Sequence, residues 1–179
     1  REFRNQTERL SVSYEELSKD CTATGNHMFK SSRHVDKVRT DMYKGNTEIT
    51  LIDRLKVFEL DHFLITWRIY NHIVGFEKLQ LKSVENPETC KLGNWIKTQD
   101  NQQILNSPEF RTLFELHKEM HTHGTNAWNA NDRGEKEKAL AYFNNMYQTY
   151  EKMHTAFSRL QDYLRSIGMG GETEIIQTI

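Results

Sequence analysis

Eight histidines and two cysteines occur in this chain, and four of these side chains stand where they could share one ion. His117 and His121, in "LHKEMH", are four residues apart. On a helix they project from one side on adjacent turns, so two imidazole nitrogens can reach a common point. His62, in "ELDHFLITW", is the polar exception in an apolar helical row, and Cys90, in "PETCKLGNWI", shares a short segment with a glycine and a tryptophan. Each alone has an ordinary explanation: an HxxxH pair arises readily among eight histidines, and a lone core histidine is most often a satisfied buried polar group. Together they weigh more. Three imidazoles and one thiolate complete a tetrahedral set suited to zinc, which accepts N and S donors, whereas Mg and Ca want oxygens. Pro87 after Asn86 predicts a short helix capped by Asn86, with Cys90 in its first turn, where the backbone dipole favours the thiolate. Gly93 would let backbone approach closely and Trp95 would cover the site.

The remaining chemistry-bearing residues carry less. His72 is rotated away from His62, His123 lies off the face of His117, and His27, His34 and His154 flank coiled-coil positions. Asp61 points to another side of the helix from His62, so it is a partner only for some other group. Cys21 reads as a small buried apolar residue. A closed four-donor set leaves no position for a reacting water, and no general base stands beside it, so catalysis is not expected.

Those residues need elements to position them. The chain has 179 residues, 36% hydrophobic and 27% charged, with only 9 Gly and 2 Pro, which predicts long, well-solvated helices. Lys plus Arg (24) nearly balance Asp plus Glu (25), so neither a nucleic-acid footprint nor a polybasic membrane patch is indicated. No apolar run approaches the length of a membrane span, the first residues lack a signal peptide's apolar centre, and two distant cysteines make no disulfide framework. A reducing, cytoplasmic setting is expected, and the Arg at position 1 suggests a fragment.

From Leu10 the residues Tyr14, Leu17, Cys21, Thr24, Met28, Ser31, Val35, Val38 and Met42 keep the alternating spacing of a coiled-coil seam. Thr24 and Ser31 weaken it, which suits a switchable coil as well as a plain dimerising stalk. The phase breaks near Gly45 and Asn46, where Asn46 or Thr47 could cap a new helix, although one continuous helix with a local shift is also compatible. We therefore expect a coiled-coil segment over 1–46, a helical domain over 47–168 and a flexible tail over 169–179. Within the domain, helices are predicted over 47–79 and 107–128, followed by a long one with heptad spacing from Ala139 to Ile167, ended by Gly168. The first has a second apolar row, Leu60, Phe63, Leu64, Trp67, Tyr70 and Val74, which predicts contact with a partner chain and hence a homodimer. Four antiparallel helices around one core is the simplest packing.

The His62 element, the C-x-L-G-x-W of "CKLGNW" and the H-x-x-x-H of "LHKEMH" resemble, in order and spacing, the chemoreceptor zinc-binding domain, the CZB family, over about residues 52–165. The resemblance implies an all-α, antiparallel four-helix bundle that dimerises and holds Zn2+ through His62, Cys90, His117 and His121. It implies a regulatory domain of bacterial cytoplasmic signalling proteins, chiefly methyl-accepting chemotaxis receptors and also diguanylate cyclases. A coiled coil upstream and an early end downstream look like the C-terminal part of a receptor, whose partners would be a chemotaxis adaptor and histidine kinase. The family's reported responses are to zinc or to oxidants such as hypochlorous acid; a purely structural zinc staple is the alternative. "GGETEI" superficially resembles the cyclase GG(D/E)EF signature, but Thr173 and Ile175 depart from it and no phosphate-binding or sheet-forming sequence surrounds it.

Overall fold

A computed structural model describes residues 2–44, 49–84, 86–171 and 173–174, and within the first helix only some of the side chains. Apart from one pair of two-residue strands, the described residues fold as helices and their connections. Helix α1 spans Glu2–Lys44, α2 Leu51–Val74, α3 Lys91–Thr98, α4 Gln102–Asn106, α5 Pro108–Asp132 and α6 Lys136–Ser166. Two-residue strands β1 (Ile49–Thr50) and β2 (Thr173–Glu174) pair antiparallel, so part of the expected tail lies against the start of α2. Among the described residues no helix is long and apolar enough to cross a membrane.

The helix limits follow local chemistry. The Thr50 hydroxyl accepts from Asp53 N at 3.1 Å and starts α2; Gly75, at φ 88°, ends it earlier than the apolar pattern had indicated. The expected caps at Asn46 and Thr47, and the phase break at Gly45, lie outside the described residues. Ser107 caps α5 through Phe110 N at 3.1 Å, with Pro108 in the first turn, and α5 runs one turn beyond Trp128. The helix expected from Pro87 does not form there. Residues 87–89 make a single turn tied by Asn86, and α3 starts only at Lys91. Helix α4, capped by Asn101, had no periodic signal because it is barely a turn long.

Side-chain contacts fix the helix directions. Glu59 meets His154, Phe63 meets Tyr150 and Tyr70 meets Phe143, so α6 runs antiparallel to α2. His62 meets His117, whereas His72 stacks on Trp128, so α5 runs parallel to α2. The up-down order therefore fails at this step, because the segment holding α3 and α4 returns the chain along the length of the bundle. The core is built from α2, α5 and α6 around Leu55, Ile69, Leu113, Met153, Phe157 and Leu160, all essentially inaccessible to solvent. Gly25 lies against the Phe76 ring, where an added Cβ would stand 2.7 Å away, so α1 returns alongside α2 and does not continue it.

Helix α6 covers part of the second apolar row of α2 through the Phe63–Tyr150 and Tyr70–Phe143 contacts. Val74, Leu140 and Tyr147 at its edge remain exposed, at 40%, 39% and 46%. On α1, Leu10, Tyr14, Leu17 and Cys21 are exposed. The seam side chains of Met28, Ser31, Val35, Val38 and Met42 lie outside the described residues.

Candidate metal centre

Three elements bring the four candidate donors together. His62 comes from the middle of α2, Cys90 from the residue that opens α3, and His117 and His121 from adjacent turns of α5. One donor atom from each lies within 4.8 Å of the others. Cys90 Sγ is 3.1 Å from His117 Nε2 and 3.9 Å from His62 Nε2, and the His62 ring lies 4.9 and 5.8 Å from those of His117 and His121. The three histidines are buried and Cys90 is half-buried.

Backbone carbonyls set the tautomers. His62 Nδ1 lies 2.6 Å from the Phe58 carbonyl, and His121 Nδ1 lies 2.7 Å from that of Val84. Each Nδ1–H donates there, so each Nε2 presents a lone pair to the cluster. His121 Nε2 is buried without a hydrogen-bond partner among the described residues. An orphaned acceptor facing two imidazoles and a thiol is costly unless a cation takes it, and three nitrogen donors with one sulfur fit zinc.

Burial governs the electrostatics. It pushes His62 down to about 4, helped by His121, and His117 down to about 2, helped by His62 and His121. It lowers His121 as well, against the Val84 hydrogen bond. All three rings are therefore neutral at pH 7, the form that binds a metal. Burial also pushes the Cys90 thiol up, opposed by the backbone N–H groups of Gly93 and Leu92 and reinforced by Asp61. Cys90 is the N-cap, and the backbone donors favour its thiolate as the sequence suggested, but desolvation outweighs them. Its Sγ accepts from Gly93 N at 3.3 Å, and the thiol donates to the Pro87 carbonyl at 3.4 Å.

Gly93 has the close approach expected of it, since a Cβ there would stand 1.9 Å from the Pro87 carbonyl oxygen. Trp95 does something other than cover the donors. Its ring packs between Phe58 and Phe110, 6.0 and 5.8 Å away, and so fixes α3 against the turns that precede His62 and His117. His72, His123 and His154 lie away from the cluster, on Trp128, Glu119 and Glu59 respectively. Asp61 pairs with Lys91 across the mouth of the site, a role visible only once α3 is placed. The Phe58 and Val84 carbonyls were also missed; the first is legible as the residue one turn before His62, but nothing in the sequence points to the second.

Comparison with curated proteins and with solved structures returned no match. Over residues 62–128, a span that opens on His62 and takes in Cys90, His117 and His121, the chain matches the family model of the chemoreceptor zinc-binding domain.

Proposed function

We propose that the chain is a zinc-binding regulatory segment of a bacterial cytoplasmic methyl-accepting chemotaxis receptor, with His62, Cys90, His117 and His121 as the ligands. The observation that carries it is the buried, unpartnered His121 Nε2 within a four-donor set spanning no more than 4.8 Å. Zinc bound there would be a closed, four-coordinate ion that ties α2, α3 and α5 together without an open position for a reacting water. The segment is a sensor and not an enzyme, with residues 1–46 as its output coil, 47–168 as the zinc domain and 169–179 as the tail.

The chain's own residues supply the switch. The carbonyls of Phe58 and Val84 orient two rings, and Gly93 lets the Cys90 turn close. Cys90, half-buried, is the oxidisable donor. Hypochlorous acid would transfer its oxygen to the thiolate sulfur, giving sulfenic acid and releasing chloride, and a sulfenic acid is a poorer donor than a thiolate. Loss of that donor would free α3 from α2 and α5, and the change would reach α1 through Phe76, just past the end of α2, where its ring meets Gly25. In the full receptor the output would reach an adaptor and histidine kinase.

The partly exposed strip of Trp67, Tyr70, Val74, Leu140 and Tyr147 meets a second copy in a homodimer. Metal analysis followed by hydrogen exchange tests the proposal. One zinc per chain is expected, with oxidant or metal removal raising exchange in α3 and α1. Zinc that protects every helix alike would instead favour the structural staple, and a bound zinc with an exchangeable water would favour a hydrolase.

A further inference from the structure

We infer that the metal enters and leaves the cluster past Cys90, through the cleft between α2 and α3, and that the Asp61 carboxylate is the transient ligand at its mouth. This rests on the zinc reading of the four donors. Access from the other directions is closed: His62, His117 and His121 are 2%, 1% and 7% exposed, whereas Cys90 is half-buried. Ile65, Val84, Met120 and Met146 back the cluster around a void of about 10 Å³, barely the room of one water. On the Cys90 side a cleft of about 240 Å³ reaches His62, Cys90 and His121 and is walled by Asp61, Arg68 and Lys91.

Asp61 is the anionic oxygen donor in this wall. A hydrated divalent ion gives up waters one at a time, and a carboxylate is the natural first replacement before softer donors engage. Lys91 Nζ lies 3.9 Å from Asp61 Oδ2 and competes with an arriving ion for the carboxylate, whereas Arg68 is held by Glu77 at 2.8 and 2.9 Å. Handover from Asp61 to Cys90 breaks the ion's bond to the carboxylate and forms one to sulfur, and the thiol proton leaves to solvent through the same cleft.

Stopped-flow mixing of the full chain with zinc, and of the zinc-loaded chain with excess chromogenic chelator, measures uptake and release. Asp61→Asn should slow uptake by about tenfold, a barrier change of about 1.4 kcal/mol, and by more than it changes Kd. Lys91→Ala should speed uptake by more than it changes Kd, and Glu115→Gln, at an exposed carboxylate paired with Lys118, should alter neither. Rates unchanged in both cleft variants would overturn the inference. So would an altered Kd with uptake unaffected, since that would make Asp61 an electrostatic neighbour of the bound ion and no more. A wild-type chain that takes up no zinc would sink the zinc reading, and this inference with it.

Discussion

At the residue scale, the four donors are groups held in the state that burial dictates. Three histidines pushed below neutrality are uncharged at pH 7, each ring keeping a single N–H, whereas the Cys90 thiol, pushed up, keeps its proton. Zinc binding near neutral pH should therefore release about one proton per ion, all of it from Cys90, and affinity should rise about tenfold per pH unit until the thiol titrates. Calorimetry in buffers of different ionisation enthalpy reads that proton count; a release near zero at pH 7 would mean that the thiolate is already formed. The identity of the four donors was legible because residue type and helical spacing survive in sequence: His117 and His121 share a face whatever surrounds them. The protonation state of Cys90 was not legible, because desolvation depends on what α2 and α5 bring around it.

At the scale of elements, the site depends on a turn that positions one sulfur. Pro87–Thr89 folds back until Pro87 O meets Gly93, and Trp95 clamps α3 between Phe58 and Phe110. Gly93→Ala places a methyl 1.9 Å from that oxygen. It should cost about 1–3 kcal/mol by overpacking and lower zinc affinity at the same time, by moving Cys90. Urea unfolding and metal titration of the variant check both; a variant with native zinc affinity would show that the turn tolerates the shift. The long helices were legible from period and caps, as at Ser107 and Gly75, though α2 proved shorter and α5 longer than the pattern implied. Helices α3 and α4 were mistaken or unseen because elements this short have no period to read, and their ends are set by contacts such as Gly93 on Pro87.

At the scale of the whole molecule, burying three neutral imidazoles beside a thiol makes the metal-free fold sensitive to acid. Their folded pKa values lie below the unfolded 6.5, so the stability they contribute is complete above pH 6.5 and is lost as pH falls toward 4 and below. Three such groups give a slope of at most about 4 kcal/mol per pH unit. His154, raised by Glu59, acts in the opposite sense, but it is exposed and its effect is small. Urea unfolding of the metal-free chain at pH 7, 6 and 5 should show stability falling and zinc restoring it; a flat profile would mean that the histidines are already solvated. The parallel course of α2 and α5 was not legible, since nothing in either helix encodes direction; the crossing segment between them decides it. Cobalt substitution reads out whether His62, Cys90, His117 and His121 form one tetrahedral site of three nitrogens and one sulfur. One Co2+ should bind per chain, with the visible spectrum of a tetrahedral ion and a thiolate charge-transfer band that vanishes in Cys90→Ala; a six-coordinate spectrum without that band in the unaltered chain would rule such a site out.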